Sequence, residues 1–309
     1  MVSIRWGDVP ASFTDGRARL ERGDFENAAS LLRDAAGDAA TRPVVAAAAR
    51  LMAAEALMAW GSIDRERYAE CIEETGRFLD DHADNREAPR AEWLQARAAL
   101  LSGDAAGAAT RFEALHGKGT GDAPTEGYSK VRCLEAGLQA AQSQLIAGNV
   151  GAARTLYTTL ASQIGTHVAS LDEATTSADV RTRLLTAQGE AACGEGFCLL
   201  AEDKLREAET FFGGRMDDAF EAPIATLGMA EVHQAQGKLR QAQIGFAKVS
   251  AGDHRSRDRV ARALLGLAET TSGLADTDAQ AMRNRYLEAV RERYGDTPAA
   301  LRASELLGQ

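Results

Sequence analysis

The feature that most constrains this chain is a tight turn that recurs with the same side-chain sizes behind it. In Pro223 to Val249, Ile224, Leu227 and Ala230 fall at helical spacing and Ala235 extends the stripe. Gly237-Lys238 then interrupts, and Leu239, Ala242, Phe246 and Val249 form a second stripe at i, i+3, i+7 and i+10. Pro223 suits a first helical turn, where its missing N–H is not needed. Glycine readily takes the left-handed conformation that ends a helix. Two short amphipathic helices joined this tightly must pack antiparallel. Ala230 and Ala242 let their backbones approach, and Phe246 is expected to fill the space towards the next helix.

The same turn is legible at Gly23, Gly61, Gly103, Gly148, Asp203 and Gly273, at successive spacings of 38, 42, 45, 55, 34 and 36 residues when Gly237 is included. Behind it the sizes repeat: Phe25, Ala28, Leu32, Ala35; Ala105, Ala108, Phe112, Leu115; Val150, Ala153, Tyr157, Leu160; Leu205, Ala208, Phe212. Seven residues ahead of each turn stands a small residue: Gly16, Ala54, Ala96, Ala141, Gly196, Ala230 or Gly266. The second and seventh units carry extra residues between their helices, at Ile63 to Arg67 and Leu274 to Asp278.

This register resembles the tetratricopeptide repeat, whose usual period is about 34 residues. The early aromatic of the family's first helix is mostly absent. The resemblance implies an all-α, right-handed α-solenoid of about seven helix-turn-helix pairs, near residues 10–37, 43–80, 88–116, 128–164, 180–213, 223–250 and 256–294. A capping helix follows at 297–308, and the whole makes one domain over 10–309. Thr297-Pro298 opens that last helix, and Tyr294 to Leu307 resembles the tail of repeats in bacterial envelope-assembly tetratricopeptide proteins. Every solenoid needs its open end covered. Residues 1–9 read as an extended lead-in, with Trp6 packing against the first repeat.

Composition agrees with a helical array. The 309 residues carry a formal net charge of -10, and good helix formers dominate over β-branched and aromatic residues. No uncharged apolar run of 18 residues exists, so no membrane span is expected. The first residues, MVSIRWGDVPASF, lack the basic and apolar regions of a secretory signal. A cytoplasmic location is expected, or a periplasmic one if an export signal has been removed. Cys71, Cys133, Cys193 and Cys198 show no CxxC spacing, and the last two point to different faces of one helix. All four are expected to be small apolar core residues, which favours a reducing compartment.

No motif carries catalysis or a cofactor. Gly117-Lys118-Gly119-Thr120 has the wrong order for a phosphate loop and no strand before it, so it reads as a linker. Asp80, Asp81, His82 and Asp84 lack EF-hand spacing and read as a solvated loop. The five histidines form no HExxH. The run His254 to Arg262, with Arg283, Arg285, Arg291 and Arg293, is interleaved with Asp258, Glu288 and Glu292, so it reads as a solvated face and not a nucleic-acid groove. Three joints are stretched. Asp80 to Pro89 is a polar loop, His116 to Gly127 a glycine-rich mobile one, and at Gly165 to Asp179 the preceding helix is expected to run on before a loop.

The resemblance further implies a concave face lined by the first helix of each pair, at Phe13 and Arg17, Leu51 and Glu55, Trp93 and Arg97, Leu138 and Gln142, Cys193 and Phe197, and Leu227 and Glu231. Trp93 and Arg97 lie one turn apart and are residue types enriched in binding hot spots. The paired lysines and asparagines with which chaperone-binding members clamp a C-terminal carboxylate are missing. The expected function is a non-catalytic scaffold in a bacterial assembly or envelope complex, binding a peptide or partner protein. The alternative is a regulator whose superhelix changes pitch when a small molecule or peptide binds. No cofactor, metal or nucleic acid is expected.

Overall fold

The computed structural model describes residues 9–120, 124–172, 175–271 and 277–308. Among them the chain is all-helical. Helices α1 (Ala11–Glu21) and α2 (Phe25–Gly37), α3 (Pro43–Trp60) and α4 (Arg67–Asp81), and α5 (Ala88–Ser102) and α6 (Ala105–Thr120) form the first three pairs. Then come α7 (Lys130–Ile146) and α8 (Val150–Ala169), α9 (Ala178–Ala201) and α10 (Leu205–Gly213), α11 (Ala222–Ala235) and α12 (Leu239–Gly252), and α13 (Arg257–Thr271) and α14 (Thr277–Arg293), followed by α15 (Pro298–Leu307). The chain divides into two compact units, residues 1–111 and 112–309, with the boundary inside α6. Ile4, Trp6, Gly273 and Leu274 lie outside the described residues.

Five turns share one hydrogen-bond pattern. Gly23, Gly103, Gly148 and Gly237 have φ of 79, 97, 81 and 73°, and Asp203 reaches φ 59°. In each, the turn residue's N–H donates three residues back: Gly23 to Leu20, Gly103 to Leu100, Gly148 to Leu145, Asp203 to Leu200 and Gly237 to Gln234, at 3.0–3.1 Å. The next N–H donates five back: Asp24 to Arg19, Asp104 to Ala99, Asn149 to Gln144, Lys204 to Leu199 and Lys238 to His233, at 2.8–3.0 Å. These two bonds define a Schellman motif, which satisfies carbonyls that a helix end would leave unpaired. Gly61 departs from the series. Its φ is -54°, and the chain leaves α3 through Ile63 and Asp64, whose N–H groups both donate to the Trp60 carbonyl. Gly61 is required for packing instead, because a β-carbon there would fall 2.8 Å from Tyr68 Cζ and nearer still to two other ring atoms.

In four of the pairs the repeated size code places a large side chain of the second helix against a glycine of a first helix. Phe212 on α10 is wedged between Gly196 of α9 and Gly228 of α11, Tyr157 on α8 meets Gly194 of α9, and Phe246 on α12 meets Gly266 of α13. In the first unit Leu32 meets Gly16 in the same way. Because glycine has no Cβ, the rings enter where backbone would otherwise be covered, and Phe212 and Phe246 are buried. Such contacts bury nearly all of a phenyl ring, worth roughly 1.5–3 kcal/mol each by area.

Two stretched joints are helical in part. Residues 116–120, read from sequence as the start of a mobile glycine-rich loop, complete α6. His116 Nδ1 donates to the Cys133 carbonyl at 2.9 Å, Thr120 Oγ1 donates to the His116 carbonyl at 2.7 Å, and Gly119 lies so close to Cys133 that a β-carbon would come within 2.6 Å of its Cβ. Long-range packing thus overrides the low helix propensity of Gly117 and Gly119. At Gly165 the preceding helix does run on, to Ala169, and α9 starts at Ala178 under a Ser177 cap whose Oγ accepts from the Val180 N–H.

Among the described residues only α3 is long and apolar enough to cross a membrane. It is packed between α2 and α4, and its two charges are paired, Arg50 with Asp81 at 3.4 Å and Glu55 with Arg90.

Candidate interaction faces

Within each unit the first helices of successive pairs touch one another: α1, α3 and α5 in the first unit, α7, α9, α11, α13 and α15 in the second. No two second helices pack as closely among the described residues. Within each unit the first helices therefore form a layer, termed the inner layer, and its open positions form one candidate face per unit.

In the first unit that face carries Arg17, Glu55, Trp93 and Arg97. Arg17 is exposed, 3.7 Å from Glu21 one turn on. Glu55 is half-buried and ion-paired with Arg90, so α3 and α5 are tied across the face. Burial pushes its carboxyl above the usual range, and the Arg90 charge opposes that. Trp93 and Arg97 are both half-buried on α5. Phe13 and Leu51, expected beside these on the face, are buried in the core and offer a partner almost no surface.

In the second unit Gln142 is half-buried and accepts from Gln139 Nε2 at 3.1 Å. Leu138, Cys193 and Leu227 are buried, and Phe197 is only 8% exposed. These apolar members sit where the register places them along each helix, but they belong to the core shared with the second helices: Leu138 in the cluster of Tyr157 and Leu160, Phe197 edge-on to Phe212, and Leu227 in the cluster of Phe246. A position chosen by register on a helix with two neighbours is turned towards one of them.

The exposed chemistry of the second unit comes instead from arginines that bridge first helices. Arg183 on α9 holds Glu135 on α7 through Nη2 at 2.7 and 2.8 Å and Nε at 3.1 Å. Arg262 on α13 grips Glu231 on α11 in a fork, Nε–Oε1 2.5 Å and Nη2–Oε2 2.6 Å, and lies over the Phe197 ring at 4.7 Å. Burial pushes the Glu231 carboxyl upward, opposed chiefly by Arg262. Arg259, one turn before, is buried. It holds Asp253 at 2.5 Å through Nε and also pairs with Glu190 on α9. Burial likewise raises Glu190, whereas in Asp253 the bonds and charge of Arg259 outweigh desolvation and leave the carboxyl below its ordinary range.

Arg255, Arg257 and Arg262 lie exposed, in keeping with the solvated face read for His254 to Arg262, but Arg259 is buried and the exposed arginines also hold neighbouring segments. Arg255 donates to the Ala219 carbonyl at 3.0 Å and covers the Phe220 ring, and Arg257 donates to the Arg293 carbonyl at 2.7 Å and to Asp296 at 2.9 Å. The run is the clamp that fastens α13 to its neighbours. Sequence reasoning missed it because every partner but Asp253 lies 31 to 69 residues away. The one local hint is the run's arginine density beside Asp253.

The thiols are poorly reactive. All four cysteines are buried and none is in a disulfide. Burial pushes the thiols of Cys71 and Cys193 up to about 12 and that of Cys198 to about 11, so thiolate is scarce at neutral pH. Among the described residues no group of three or more His, Cys, Asp or Glu is placed to hold a metal ion.

The chain is similar to the crystal structure of a tetratricopeptide repeat protein from Parabacteroides merdae ATCC 43184, with a TM-score of 0.56 over 91% of this chain and 93% of that one, at 12% sequence identity. The fold is a tetratricopeptide-like helical repeat. No family model matches the chain, and no curated protein matches it. At such identity the likeness concerns the path of the backbone, and the repeat's faces have to be read from this chain's own side chains.

Proposed function

We propose that the protein is a non-catalytic interaction scaffold that holds a peptide or partner protein against the inner layer of first helices. The observation that carries this reading is the character of that layer's open positions. They combine aromatic and charged side chains: Trp93 with Arg97, both half-exposed, in the first unit, and in the second Arg262, fixed by Glu231 and lying over the ring of the nearly buried Phe197. A guanidinium already fixed in a fork loses little freedom when a partner carboxylate joins it, and an aromatic plane beside it supplies apolar area. The tetratricopeptide-like fold supports a role in protein interaction, and the low reactivity of the buried thiols favours no chemistry of their own.

The test is capture of partners from the native organism by wild-type protein and by the double variant Trp93→Ala with Arg97→Ala, beside Arg262→Ala. Loss of a specific partner from either variant, with unchanged melting temperature, is expected. The same partners in the same amounts on all three proteins would remove the assignment to this layer.

A further inference from the structure

The second unit has a cleft on the side away from the inner layer. It lies between two second helices, α12 and α14, and holds about 380 Å³. Its walls are Arg240, Gln243, Ile244 and Ala247 from α12 and Met282 and Tyr286 from α14, and Leu267 and Thr271 of α13 form the floor. The floor presents no free polar group, because Thr271 Oγ1 donates to the Leu267 carbonyl at 2.6 Å. Ile244 and Met282 face each other across it at 52% and 48% exposure, and they are two of only five large apolar side chains so exposed among the described residues. Two such residues meeting over an apolar floor make a patch rather than scattered exposure.

Charge says what fits there. The chain carries a net charge of -10, yet α12 contains no acid and displays Arg240 at the cleft and Lys248 one turn beyond Ile244. Arg240 is the only charged residue in the lining. Asp278 and Glu288 lie on α14 to either side of Met282 and Tyr286 and are not in the lining, while exposed Arg285 sits between them. An acidic protein that keeps Arg240 and Lys248, and no acid, on the α12 side of its apolar cleft complements a ligand of opposite pattern on that side.

We infer that the α12–α14 cleft is a docking site for an acidic amphipathic segment of a partner protein, whose apolar side chains enter between Ile244 and Met282 while its carboxylates meet Arg240 and Lys248. This surface is separate from the inner layer, so a scaffold could engage both at once.

Two fluorescein-labelled peptides test it, each about 16 residues long so that a helix can form. One places leucines at i, i+3 and i+7 with glutamates on the flanks, and the other replaces every glutamate by lysine. The acidic peptide should give a saturable anisotropy rise, weakened about tenfold or more by Ile244→Asp and by Arg240→Glu and by added salt. The lysine peptide should not bind. Both changed residues are exposed on a helix surface, and a thermal melt confirms that the variants fold. The Trp93→Ala, Arg97→Ala protein should bind the acidic peptide like wild type, which separates this site from the inner layer. No saturable rise, equal binding of the two peptides, or indifference to both variants would overturn the inference. So would a concentration-dependent dimer abolished by Ile244→Asp, which would assign the cleft to a second copy of the chain.

Discussion

Gly228→Ala is the sharpest probe of how the repeats pack. Glycine inside a helix costs about 1 kcal/mol relative to alanine, so on propensity alone the change in the middle of α11 stabilises the protein. The structure reverses the sign. The new β-carbon would come within 2.5 Å of the Phe212 ring, where real contacts need roughly an ångström more. The ring is fully buried and backed on its other side by Gly196, whose own position leaves no retreat, since a β-carbon there would already be 2.5 Å from Phe212 Cζ. Forcing extra volume into a closed core costs about 1–3 kcal/mol, or more where nothing yields. The net expectation is a loss of about 1–2 kcal/mol in urea denaturation. Gly117→Ala serves as the control, because that helical glycine has nothing within 4 Å of its β-position and should gain about 0.5–1 kcal/mol. Pairing Gly228→Ala with Phe212→Leu completes a cycle. The double variant should be more stable than the sum of the two losses, because leucine vacates the space the methyl needs. Gly228→Ala stabilising the protein as Gly117→Ala does, or a cycle that is additive, would refute the wedge.

Three further outcomes follow from named contacts. Asp203→Gly should stabilise by about 0.5–1 kcal/mol in the same denaturation assay, because Asp203 is the one non-glycine described at positive φ and glycine removes that strain. Hydrogen bonds from Arg154 and Lys204 hold the Glu202 carboxyl at about 2 against an ordinary 4.5. Its contribution is therefore complete above pH 4.5 and is lost as pH falls towards 2, so Glu202→Gln should flatten the stability profile across that window and leave it parallel to wild type above it. Arg259→Ala leaves Asp253 and Glu190 without their cation and should cost about 3–5 kcal/mol in thermal or chemical unfolding, far more than Arg240→Ala on the surface.

Much of the fold was legible because its determinants are local. The Schellman turns at Gly23, Gly103, Gly148, Asp203 and Gly237 need a residue tolerant of positive φ at a helix end, and the sizes that follow, such as Ala208 then Phe212, are set by the helix packed directly ahead. What escaped is set by distant partners. Gly61 looks like another turn in sequence, but it is there to admit the Tyr68 ring. His116 to Thr120 looks like a linker, but Cys133 draws it into helix. For the proposed face, spacing chose positions along the first helices, of which Trp93, Arg97 and Glu231 are partly exposed. Spacing could not say that Phe13, Leu51, Leu138 and Leu227 turn inward, nor that Arg262 would stack on Phe197, since both depend on the rotation of one first helix against the next.

Binding on the layer of first helices has a direct signature in hydrogen–deuterium exchange of the protein alone and with a captured partner. Slowed exchange concentrated in first helices, at α5 around Trp93 and Arg97 or at α11 and α13 around Glu231 and Arg262, is the predicted result. Protection confined to second helices and joints, with the first helices unchanged, would contradict it.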